Sequence, residues 1–244
     1  MSPSMIYTPQ PTPYLFGGPH PWSSTNWTST DDRVRGGASH SSLHINPAPN
    51  TATFHGTLDI TTLGGAGFAS QRTTTTTTTW DLTPYTGLEL SIPHSDEKTY
   101  TLTLKDELLE KRPDGRERSG LVWEVDFRVK DYEGGVVRVA WEDFKPTYRG
   151  REVEGARKLD LSGVRRVGIM VRSFFGEQEG AFELEVQWIK GIQASVRRQG
   201  GGEGRYRDDP DASEGYEGEE WNEKGWGGGE GRRGLGWWSC CGMF

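Results

Sequence analysis

The chain has 244 residues and a formal net charge of −7, with 32% hydrophobic residues and 34 glycines. An acidic balance without a basic run excludes a nucleic-acid binder that tracks phosphates, and the only two cysteines, adjacent at Cys240 and Cys241, exclude a disulfide framework or a zinc set. No stretch approaches the ~18 consecutive apolar residues of a spanning helix, and the low apolar fraction implies that part of the chain is not packed.

Residues 1–13 are proline-rich and are expected to be disordered or extended against the domain. They show neither a secretory pattern nor the arginine-rich amphipathic pattern of a mitochondrial transit peptide. From Tyr14 the chain gains Leu15, Phe16, Trp22 and Trp27 among prolines and glycines, an apolar lead-in segment expected to cover one end of a domain. Asn26-Trp27-Thr28 has the form of a glycosylation acceptor, idle in the absence of a secretion signal.

Between Trp27 and Arg72 lie two glycine-punctuated pieces around an alternating segment. Ser42–Ile45 and Ala52–Ile60 alternate with period two, which predicts a pair of half-buried strands. His44 and His55 alternate with apolar residues there and are expected to face one another across the sheet as structural histidines. The pairs Gly36-Gly37 and Gly64-Gly65 permit backbone conformations that a side chain would block, and Asp31 and Asp32 are placed to bond backbone N–H groups and fix the turn. Arg33, Arg35 and Arg72 offer fork-shaped donors to carboxylates or carbonyls. The first reading is an internally satisfied turn cluster. The second is an anion or partner site formed by Asp32, Arg33, Arg35, Gly36, Gly37, Phe68 and Arg72.

Thr73–Thr79 is an uninterrupted threonine run, read as a strand with poorly specified register. Leu88–Ile92 and Tyr100–Leu104 alternate as strands, and the charged segment 106–119, with Pro113-Asp114-Gly115 in its middle, is expected to be an exposed loop with solvated charges. Leu121, Trp123, Val125, Phe127 and Val129 interleave with charged residues as the clearest strand of the chain, and Val137–Trp141 repeats the pattern. Residues 143–159, with Lys145-Pro-Thr-Tyr-Arg-Gly-Arg151, are expected to be a charged, glycine-containing loop long enough to be functional or mobile, 159–162 a helical turn, and Val167–Val171 and Phe182–Trp188 the closing strands. An inventory of about nine or ten short strands without a substantial helix predicts an all-β antiparallel sandwich, compatible with a jelly roll.

From residue 196 the composition shifts to Gly, Glu, Arg and Asp with isolated tryptophans, predicting a disordered tail over 196–244 after a domain at 14–195. The end, Cys241-Gly242-Met243-Phe244, has the loose form of a prenylation signal, with Cys240 available for a second lipid, so peripheral membrane association is one consequence. The five histidines lack metal spacing, no nucleophile elbow is present, and Gly65-Ala66-Gly67 lacks the third glycine and the helix of a dinucleotide loop. No catalytic set, metal or cofactor is therefore expected. Glu124, Asp126 and Glu142 are the acids that a glycan-cleaving or carbohydrate-binding sandwich would use, against the alternative of a solvated face.

Trp27, Asp32, Arg35-Gly-Gly-Ala-Ser39, Phe54-His-Gly56 and Gly67-Phe-Ala-Ser-Gln-Arg72, followed in order by Tyr85–Leu90, Lys98–Leu104 and Val164–Ile169, carry a family resemblance. Over about residues 14–192 the chain resembles the complex I intermediate-associated proteins, thirty-kilodalton assembly factors of mitochondrial NADH:ubiquinone oxidoreductase. The resemblance implies a galactose-binding-domain-like jelly roll, a non-catalytic chaperone or scaffold role, complex I subunits or other assembly factors as partners, and a mitochondrial location. A diverged, cytoplasmic and membrane-anchored module with a carbohydrate or other ligand is the alternative.

Overall fold

The computed structural model describes residues 13–74, 77–115 and 117–193. The expectations for residues 1–12 and for the tail, including Cys240 and Cys241, lie outside the described residues, as does the domain boundary near 195.

Strands follow one another almost without interruption. They are β1 (Tyr14–Gly17), β2 (Trp27–Ser29), β3 (His40–Asn46), β4 (Thr51–Leu58), β5 (Phe68–Thr73), β6 (Tyr85–Ser91), β7 (His94–Ser95) and β8 (Tyr100–Lys105). Then come β9 (Val122–Phe127), β10 (Val136–Ala140), β11 (Lys145–Tyr148), β12 (Arg151–Glu152), β13 (Arg166–Arg172), β14 (Gly180–Val186) and β15 (Trp188–Gln193). The described residues hold no α-helix; single 3-10 turns of three or four residues take the corners, one of them at Leu161–Gly163 where a helical turn was expected.

All pairings between these strands are antiparallel. One layer is a seven-stranded sheet in the order β12-β11-β9-β8-β13-β5-β2. Facing it are two four-stranded sheets, β1-β15-β6-β10 and β3-β4-β14-β7, joined because β14 runs on into β15 across Gln187. The inward positions of both layers interdigitate in one core: Leu102, Leu104 and Ile169 from one side meet Leu88, Leu90, Leu184 and Ile189 from the other, all essentially solvent-free. Burying each such side chain is worth about 2 kcal/mol, so the sandwich is held by this alternation rather than by any single contact. The Phe54 and Tyr100 rings meet edge-on across the layers at 6.2 Å.

The lead-in segment does cover one end. Phe16 packs on Trp22, Trp27 and Trp80 at 5.6, 4.9 and 5.7 Å between ring centroids. The all-β antiparallel sandwich is thus as the alternation implied, with three local corrections.

The threonine run is a strand only at Thr73; Thr77–Thr79 leave the sheet, because a run with identical residues on both faces gives the pleat no apolar side to bury. The charged loop expected at 143–159 contains the hairpin β11–β12, turned through Arg149 and Gly150 at positive φ. His44 and His55 are not opposite one another: His44 faces Thr53, and His55 faces Ser42 and Glu183. The observed register is displaced by two residues from a His44–His55 pair, a shift that keeps each side chain on its face while changing its cross-strand partner.

Candidate functional site

The glycine-punctuated signature folds into a corner built on two buried carboxylates. Asp31 and Asp32 stand at the start of a 3-10 turn that Gly36 ends at φ 82°. Asp32, 1% exposed, accepts from Ser39 N–H at 3.0 Å, from the Ser39 hydroxyl at 2.6 Å and from Phe68 N–H at 3.2 Å. Asp31, 3% exposed, accepts from Ser41 N–H at 3.1 Å, the Ser41 hydroxyl at 2.7 Å and Ser70 N–H at 3.0 Å. Each carboxylate therefore sews the turn before β3 onto both β3 and β5, and donors to a carboxylate are among the stronger protein hydrogen bonds. The glycines are the space this needs. A Cβ on Gly37 would stand 2.3 Å from the Asp32 carboxyl carbon, and one on Gly67 2.2 Å from the Asp59 carbonyl oxygen.

The arginines of the signature separate. Arg33 is mostly exposed and reaches Asp31 at 3.4 Å, while the Arg35 guanidinium lies 5.5 Å from the centre of the Phe68 ring. Asp32, Gly36, Gly37, Arg33, Arg35 and Phe68 thus share one corner. Arg72 leaves them: its Nε donates to Thr30 Oγ1 at 2.8 Å and its Nη2 to Glu117 at 3.1 Å, on the outer face of the seven-stranded sheet.

That face holds a second charged set absent from the sequence expectations. Register places Arg166 opposite Lys105, and Gly168 opposite both Arg72 and Thr103. Arg166 grips Glu117 through Nη1 at 2.7 Å and Nη2 at 3.2 Å. Burial acts to raise the Glu117 carboxyl, but the Arg166 bonds and the charges of Arg72, Arg166 and Lys105 outweigh it and hold it below its ordinary value. Lys105 is pushed down, first by burial and then by the Arg166 charge.

Further along the same sheet, Glu124 and Asp126 are both taken by Arg172, at 2.9 Å and 2.6 Å. A glycosidase needs one carboxyl free to donate a proton and a second placed across the substrate. A carboxylate pair shared by one guanidinium, with Glu142 in a turn after β10, does not present that arrangement. Among the described residues no group of acids, histidines or cysteines has metal-binding geometry.

Where the loop 106–120 meets the β11–β12 hairpin there is an open groove of about 580 Å³, lined by Leu109, Arg112, Arg118, Tyr148 and Arg149 among others. Leu109 and Tyr148 are two of the four large hydrophobic residues that stand exposed among the described residues. The Arg149 guanidinium lies 5.5 Å from the Tyr148 ring centre, and its Nε donates to Ser119 at 3.3 Å. The sequence marks the loop that holds Tyr148 and Arg149 as functional or mobile without singling out a residue, and the other half of the groove lies in a stretch that looks like solvated charge.

The family model described as complex I intermediate-associated protein 30 matches residues 14–186, from β1 through β14, and ends just before β15. The chain belongs to this family. Among curated proteins it is 44% identical over 186 residues to an uncharacterised protein of Schizosaccharomyces pombe, covering 75% of this chain and 84% of that one. Among solved structures it is similar to a family 11 carbohydrate-binding module of a cellulosomal cellulase of Clostridium thermocellum, at 14% identity and a TM-score of 0.48, covering 74% of this chain and 94% of that one. An exo-β-agarase aligns at 12% identity and a TM-score of 0.36, covering 75% of this chain and 26% of that chain. No helix among the described residues is long and apolar enough to cross a membrane.

Proposed function

We propose that this member of the complex I intermediate-associated protein family is a non-catalytic binding module that acts on protein partners during assembly of mitochondrial respiratory complex I. The observation that carries the reading is the family match from β1 through β14. The groove at Tyr148 and Arg149 supports it physically. Tyrosine offers broad contact area on a stiff ring and arginine a planar fork of donors, and both are enriched, with tryptophan, among the residues whose loss weakens protein interfaces. The engaged carboxylates at Glu124 and Asp126 favour binding over chemistry on the same face.

Affinity capture of the full chain from its native cells tests this. Complex I subunits or other assembly factors are expected to co-purify, and Tyr148→Ala combined with Arg149→Ala is expected to lower their recovery about tenfold. The same double variant should change stability by only about 0.5 kcal/mol, since both side chains stand at the surface. Capture that returns no complex I component from mitochondria would remove this function.

A further inference from the structure

The outer face of the seven-stranded sheet gathers more positive charge than the protein itself satisfies. Strands β5, β8 and β13 place Arg72, Lys105 and Arg166 on one patch, and Glu117 is the carboxylate in contact with it. The next acids along the face, Glu124 and Asp126, are occupied by Arg172. Arg166 is 5% exposed, and its Nε has no hydrogen-bond partner among the described residues. The Lys105 ammonium lies among the charges of Arg166, Glu117, Arg72 and Glu124. Burying cations beside one another is costly unless an anion answers them. The patch also has a floor without a side chain: a Cβ on Gly168 would lie 2.6 Å from the Thr103 hydroxyl and 3.1 Å from the Gln71 carbonyl oxygen.

We propose that Arg72, Lys105, Arg166 and the Thr103 hydroxyl over Gly168 form an oxyanion-binding site for a carboxylate- or phosphate-bearing ligand, and that Glu117 occupies it as a built-in stand-in for the ligand's anion. The Glu117 carboxylate lies in the two-pronged arrangement that a guanidinium offers to either kind of oxyanion, with Arg72 sharing one of its oxygens. Because Glu117 arrives from the loop rather than from a strand, its exchange for an external anion breaks no sheet hydrogen bond. Lys105 then supplies the extra point charge that a phosphate needs beyond the fork. Glu117 belongs to the loop that also walls the Tyr148 groove through Arg118 and Ser119, whereas Arg72, Lys105, Arg166 and Thr103 stand on the sheet outside that groove.

The test is a titration of the full chain with inorganic phosphate, and separately with succinate, at constant ionic strength, followed by amide chemical shifts. Both Glu117→Gln and the parent are expected to shift at Thr103 and Gly168, with Glu117→Gln binding about tenfold tighter because the internal competitor is gone. Adding Lys105→Gln to Glu117→Gln should weaken binding about tenfold; if that double variant does not fold, Thr103→Val on the Glu117→Gln background replaces it. Tighter binding of phosphate assigns a phosphate ligand, and tighter binding of succinate a carboxylate ligand. The proposal is overturned if neither anion moves these amides in either protein, if Glu117→Gln binds no better than the parent, or if binding survives the second substitution unchanged.

Discussion

Two charged clusters adjoin strand β5, one buried and one half-buried, and they are provisioned in opposite ways. At Asp31 and Asp32 the carboxylates are held by backbone N–H groups and serine hydroxyls, with the exposed Arg33 as a marginal addition at 3.4 Å from Asp31. At Arg72, Lys105 and Arg166 the cations crowd one another, and the carboxylate that Arg72 and Arg166 share comes from a loop. The first arrangement is neutralised by fixed dipoles that no ligand can replace without unfolding the corner. The second leaves charge in excess, held by a group that can move. Charge matched by the backbone is architecture, whereas charge matched by a loop side chain is open to exchange.

The largest effect that would break this contrast is expected at Asp32. Asp32→Ala leaves the N–H groups of Ser39 and Phe68 without their acceptor in a site 1% exposed, and leaves the Ser39 hydroxyl with the longer bond to the Asp59 carbonyl oxygen at 3.3 Å. Each buried orphan costs about 1–3 kcal/mol, so a loss of about 3 kcal/mol or more is expected in urea unfolding. A loss below about 1 kcal/mol would mean that the corner is not held by its carboxylates. Gly67→Ala comes next, at about 2 kcal/mol, because its Cβ would meet the Asp59 carbonyl oxygen at 2.2 Å and backbone must shift.

Acid sharpens the same comparison. Burial works against the charged forms of Glu117 and Asp106, yet both carboxyls are held low, Glu117 by Arg166 and Arg72, and Asp106 by Arg157 and the Asp160 N–H. A carboxyl held low in the folded state binds fewer protons there than in the unfolded chain. The stabilisation is thus complete above the unfolded value of about 4 and is lost as pH falls through the folded one. Urea midpoints are expected to drop between about pH 5 and about pH 3, and Glu117→Gln to give a shallower profile. An unchanged profile in that variant would show that the loop carboxylate is not coupled to the sheet.

How much of this was legible in the chain depended on where the determinant lay. Alternation along Leu102–Leu104, Trp123–Phe127 and Val167–Val171 is set by the pleat, a local rule, so the strands and the sandwich follow from sequence. The turn role of Asp31, Asp32 and the glycines was also legible, because Asx chemistry and glycine conformation act within a few residues. Arg166 and Lys105 were not. They occupy outward positions of good strands, and only the β8–β13 register, fixed by the whole sheet, puts them opposite each other. Glu117 lies in a stretch that composition marks as solvated, and its reach to Arg166, 49 residues on, has no local signal. The Tyr148 groove was hidden likewise, since its two walls come from loops that the seven-stranded sheet alone brings together.

The smallest expected effect is at the signature's own arginine. Arg33 has a side chain 61% exposed and meets Asp31 at 3.4 Å, whereas Asp31 already holds the Ser41 and Ser70 N–H groups and the Ser41 hydroxyl. An exposed pair of this kind contributes about 0–1 kcal/mol, because water screens it and the long side chain loses freedom when it is held. Arg33→Gln should therefore change stability by about 0.5 kcal/mol or less in urea unfolding, with little dependence on salt. A loss of about 2 kcal/mol that fades in high salt would show that the corner leans on an ion pair after all. In that event the distinction between a corner satisfied by dipoles and a face satisfied by a movable carboxylate would fail at its better-determined end, since Asp31 would need a side-chain cation in the way that Arg166 needs Glu117.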